Sequence, residues 1–189
     1  MSYDRGDYRH KWRIERTAAT IRSNLGLNQF EVLTTDLLCE AVPAHLFVPR
    51  DFVAAGDARR LARLPWDGFS FTLPGEKTLM IVLNDGRPRA RQTATVMEEL
   101  SHHLLGHRPS AIWKDTQTGL PRRDYNHGQE AEAYDLGAAL LLPKERIQRA
   151  VANREIAGDL AAVHGCSTVL VEYRIKRLRL WSRYSGYAA

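Results

Sequence analysis

Thr93-Ala94-Thr95-Val96-Met97-Glu98-Glu99-Leu100-Ser101-His102-His103-Leu104-Leu105-Gly106-His107 is the stretch on which the reading of this chain turns. Wound as an α-helix at about 100° per residue, it puts Val96, Met97, Leu100 and Leu104 on one side and Glu98, Glu99 and His102 on the other. An amphipathic helix with solvated acids shows the same polarity, so the wheel alone does not separate a site from a surface. The spacing carries more. Residues four apart lie one above the other, so Glu98 and His102 can reach one cation. Glu99 lies one step around, where a general base is needed and a ligand is not. This is the geometry of the His-Glu-x-x-His zinc helix with glutamate in the first position, and zinc accepts carboxylate oxygen as well as imidazole nitrogen. Glu99 with His103 and His103 with His107 share the i, i+4 spacing, but each puts a leucine, Leu100 or Leu104, at the base position. His103 and His107 therefore read as packed or capping histidines.

Working outward, Arg87 to Leu105 is expected as one long helix with Gly106 as its stop. Ahead of it, Thr78 to Leu83 is the clearest strand, ended by Asn84-Asp85-Gly86, and Phe69 to Leu73 and Ala44 to Val48 read as further strands. Residues 10–25 and 30–40 show helical spacing, and Asp57 to Leu64 suits a short helix. After the long helix, a polar loop runs from about Arg108 to Gly128. Helices are then expected over Gln129 to Leu142, stopped by Pro143, and over Lys144 to Val151, Glu155 to Val163 and Thr168 to Leu180. A few helices, a small sheet and more helices make an α+β pattern.

The 189 residues suffice for one sizeable core. No apolar run approaches the roughly 18 residues that span a bilayer, and the polar, charged start is unlike a secretory signal. Two cysteines far apart, Cys39 and Cys166, predict a reducing compartment and cannot build a thiolate zinc site. A cytoplasmic location follows as the expectation. The net charge of +5 is concentrated at Arg87, Arg89 and Arg91 and again at Arg174, Lys176, Arg177, Arg179 and Arg183, which read as solvated basic faces.

At this point the chain resembles the ImmA/IrrE family of bacterial metallopeptidases, often linked to regulation of phage and mobile elements. Its first block is Ile81-Val82-Leu83-Asn84 followed by Arg91 through His107, with Glu98 where the family has its first histidine. Its second is Glu132-Ala133-Tyr134-Asp135-Leu136-Gly137-Ala138-Ala139-Leu140-Leu141-Leu142-Pro143, and its third runs from Leu160 to Ser167 and on through Tyr173 to Leu178. The resemblance covers roughly residues 78–180. It implies a zincin-like domain over residues 1–145 and a helix-turn-helix-like helical segment over 146–189 packed on it.

The same resemblance makes Glu98, His102 and Glu132 the metal ligands and Glu99 the general base, with Glu130 in reserve for the third ligand. It implies peptide-bond hydrolysis at zinc, and the extra carboxylate makes manganese or iron plausible beside it. Tyr125, His127 and Tyr134 are candidates for oxyanion help, and strand Thr78–Leu83 for pairing with an extended substrate. The expected partner is a protein substrate such as a repressor. The alternative is an inactive module that binds a partner protein or DNA, the latter through the basic last helix.

Overall fold

A computed structural model describes residues 5–107, 112–114, 121–123 and 126–187. The order is α1 (Arg5–Asn24), α2 (Thr35–Ala41), β1 (Ala44–Phe47), α3 (Ala55–Ala62), β2 (Gly68–Thr72), β3 (Leu79–Leu83) and α4 (Arg89–Leu104). It continues with β4 (Ile112–Lys114), β5 (Pro121–Arg123), α5 (His127–Leu141), α6 (Lys144–Ala152), α7 (Ala157–His164), α8 (Thr168–Arg177) and α9 (Trp181–Ser185). The fold is mixed α+β, as expected. The expected helix over 30–40 begins only at Thr35, because the Thr34 side chain caps it by accepting from the Leu37 N–H, which leaves Phe30 and Val32 exposed before it. The expected loop after α4 contains the β4–β5 hairpin, and α9 was not expected as a separate helix.

The larger sheet has the order β1-β3-β2, with β1 parallel and β2 antiparallel to β3. This overturns the expectation that Thr78–Leu83 pairs with a substrate. β3 is the central strand, and both of its edges are already paired. Leu79, Ile81 and Leu83 point from it into the core, under α4. On the other face Phe69 and Phe71 of β2 remain exposed and, with Phe52, Leu64 and Trp66, line an open apolar groove.

α4 and α5 pack closely, and Gly137 is why they can. A Cβ built on it would lie 3.1 Å from the backbone carbon and oxygen of Met97, so a side chain there would push the helices apart. α1 covers the other side of α5 with Ile14 and Ala18. Two fully buried arginines then close the C-terminal end of α5, where carbonyls lack helical partners. Arg22 Nη1 donates to Leu140 O at 2.7 Å, and Arg174 Nε donates to Leu142 O at 3.0 Å. Arg174 also makes a forked pair with Glu15 at 2.7 and 2.9 Å, and Arg177 pairs with Asp135. The expectation of a solvated basic face is corrected here. Lys176, Arg179 and Arg183 are exposed, but Arg174 and Arg177 hold α8 against α1 and α5.

Burial pushes the thiols of Cys39 and Cys166 up to about 11, so both stay protonated. It pushes His164, at the end of α7, down to about 4, with Arg146 and Arg22 adding to the effect. An unfolded histidine takes up a proton near pH 6.5, which the folded one refuses until about pH 4. Stability should therefore fall as pH drops through this window, by about 3 kcal/mol from this group. Urea unfolding at pH 7 and pH 4.5 checks it. His164→Leu should remove that part of the slope, and an unchanged slope in the variant would contradict it.

Candidate metal centre

The site lies where α4 faces both β2 and α5. Pro88 precedes the first residue of α4, and the helix closes in a glycine turn. The Gly106 N–H donates to His103 O and the His107 N–H to His102 O, both at 3.0 Å, with Gly106 at φ 65°. The back of the helix is buried as expected, with Val96, Met97 and Leu100 at 1% exposure or less. β2 runs alongside α4 in step with it. A Cβ on Gly68 would meet Thr95 Cγ2 at 2.7 Å, and two residues on, Ser70 Oγ donates to Glu99 Oε2 at 2.6 Å. Two residues of strand thus match four residues of helix, since both advance roughly 6 to 7 Å.

α5 is capped at its start by Asn126, whose side chain accepts from the N–H groups of Gly128 and Gln129. Its first turns carry Glu130 and Glu132. Ligand atoms of Glu98, His102 and Glu130 all lie within 4.8 Å of one another, and His102 Nε2 is 3.5 Å from Glu130 Oε2. Four-coordinate zinc with bonds of about 2.0 to 2.2 Å needs its donors roughly 3.3 to 3.6 Å apart, so small side-chain movements close this set on one cation.

The structure brings Glu130 into the cluster in place of the expected Glu132. The reason is the packing of α5 between two helices. Glu130 turns toward α4. Glu132 turns toward α1, where Arg13 donates to its Oε1, and its Oε2 lies 3.3 Å from His107 Nε2. His107 in turn lies against His102, the two Nδ1 atoms 3.0 Å apart, with its side chain 8% exposed. The glycine stop held the signal for this contact. A helix closed by the turn seen at Gly106 brings the residue just beyond it back over the residue five earlier.

Electrostatically the cluster crowds carboxylates together. Burial, then Glu99 and Glu130, push the Glu98 carboxyl up to about 7, against the pull of Arg91. Among the other candidates, Tyr134 is half-buried and packs edge-on against Tyr173, with ring centroids 5.1 Å apart. His103 is exposed on α4, and His127 is the exposed first residue of α5. Tyr125 lies outside the described residues.

Comparison with curated proteins returned no match. The family model described as the IrrE N-terminal-like domain, Peptidase_M78, matches residues 54–176, which take in α4 and α5 with every member of the cluster. The chain therefore belongs to the ImmA/IrrE family of metallopeptidase-like domains.

Proposed function

We propose that the chain is a metal-dependent endopeptidase acting on a specific regulatory protein in the cytoplasm, such as a repressor. One observation carries the reading: donor atoms from two helices, Glu98 and His102 of α4 and Glu130 of α5, converge within 4.8 Å with Glu99 beside them. A bound cation supplies Lewis acidity, which acidifies water and polarises the scissile carbonyl. Glu99 takes the proton from the attacking water and hands it to the leaving amine. Ser70 holds one oxygen of Glu99 and so orients the carboxylate. β2, an edge strand among the described residues, offers unpaired backbone groups beside Glu99 along which an extended peptide can lie. Two carboxylates and one imidazole form a harder donor set than two imidazoles and one carboxylate. Zinc, manganese and iron are therefore all candidates.

Glu98 in place of histidine favours a second reading, in which the domain binds a protein partner or DNA without cleaving it. Two measurements separate the readings. Metal analysis of the purified protein should find about one ion per chain. Glu99→Gln should keep that ion while lowering peptide cleavage by about 100-fold or more, the scale of a general base. Bound metal with no cleavage of a peptide library by either form would favour the binding module. Absence of metal under every loading condition would contradict the hydrolase.

A further inference from the structure

We infer that His107 and Glu132, anchored by Arg13, are positioning residues that set the tautomer and ring orientation of His102 for the metal. The inference rests on the proposed metal site and adds a chain of groups behind it. His102 Nε2 is the ring nitrogen that faces Glu130, at 3.5 Å, and hence the one that faces the cation. Its Nδ1 lies 3.0 Å from His107 Nδ1. Two ring nitrogens at that distance share one proton. With Nε2 given to the cation, a neutral His102 carries its proton on Nδ1 and donates it, and His107 Nδ1 accepts.

A neutral His107 then carries its own proton on Nε2, which lies 3.3 Å from Glu132 Oε2, an acceptor. The other oxygen of Glu132 accepts from Arg13. Each link leaves one proton assignment for the next. Carboxylates behind ligating histidines serve this purpose in metal sites generally, and their loss weakens metal binding about 10- to 100-fold. The backbone supports the arrangement, since the turn at Gly106 returns the His107 N–H to His102 O. Arg13 belongs to α1, outside the residues that match the family model, so the chain's own N-terminal helix is tied into the metal centre.

The test titrates metal-free protein with zinc against a chromophoric chelator and records the visible absorption of the cobalt-loaded forms. His107→Phe and Glu132→Ala should each weaken zinc binding about 10- to 100-fold and shift the cobalt bands. The double variant should lose no more than His107→Phe alone, because the two act in series. Glu132→Gln should recover most of the affinity, since its amide oxygen still accepts from His107. Thermal melting of the metal-free variants should match that of the unaltered chain. Should His107→Phe fail to fold, Glu132→Ala and Arg13→Ala carry the comparison, the latter with a loss of several-fold. Unaltered affinity and cobalt bands in the single variants, or losses that add, would overturn the chain of positioning groups and leave the metal site standing. An unaltered protein that takes up neither zinc nor cobalt would remove the site and this inference together.

Discussion

Glu130→Ala is expected to weaken zinc binding by more than 100-fold, beyond the loss from Glu132→Ala and enough to leave the protein metal-free after dialysis. The two glutamates are two residues apart on α5, and their surroundings divide the roles. Glu130 Oε2 faces His102 Nε2, whereas Glu132 is held by Arg13 and His107. Removing a donor takes away a metal bond, and removing a group behind a donor costs about 10- to 100-fold. Competition titration of both variants decides the matter, and a larger loss in Glu132→Ala would reverse the assignment.

The same titration carries a pH dependence with a definite sign. The Glu98 carboxyl, pushed up to about 7 in the metal-free state, must lose its proton to bind a cation. Affinity should therefore rise with pH until about 7 and gain less beyond it. In the metal-free fold the linkage runs the other way. Between about pH 4.5 and 7 the folded chain holds a proton on Glu98 that the unfolded one has released, so this group's contribution to stability falls as pH rises through that window, opposite in sign to that of His164. Adding metal should offset that loss.

The largest expected stability effect lies away from the candidate metal centre. Arg174→Ala should lower unfolding free energy by about 3 to 5 kcal/mol, a large part of what a domain of this size possesses. Arg174 is fully buried, and its removal strands the Glu15 carboxylate and the Leu142 carbonyl together. Replacing the pair at once, with Arg174→Met and Glu15→Gln, should recover much of the loss, because no charge is then left without its partner. Exposed Arg183→Ala should change stability by no more than about 0.5 kcal/mol. Urea unfolding of the variants measures all of this, and a mild Arg174→Ala would show that the pair contributes little. Loss of nucleic-acid binding in an Arg174 variant would accordingly report a damaged fold, whereas Lys176, Arg179 and Arg183 are placed to test such contact directly.

How much was legible in the sequence follows from how local each feature is. Glu98, Glu99 and His102 sit within five residues of one helix, so periodicity alone puts them on one face. The choice between Glu130 and Glu132 is not local. It depends on Arg13, more than a hundred residues earlier, reaching Glu132 and on His107 folding back to meet it. Strand order is equally non-local, and a central β3 cannot be read from its own five residues. Arg174 looked like surface because its partner, Glu15, lies on α1 at the far end of the chain. The basic cluster was a set of neighbours in sequence with separate fates in space.

β2 has different tasks on its two faces. Ser70 points at the glutamate of the cleft, and Phe69 and Phe71 point at open solvent beyond the sheet. A slip of one residue would exchange them, driving a benzyl ring toward Glu99 and turning the hydroxyl outward. Gly68 stands against that error, because Thr95 leaves no room where it passes for anything bulkier than hydrogen. The alignment of Ser70 with Glu99 is thus policed two residues upstream, by a side chain that is missing.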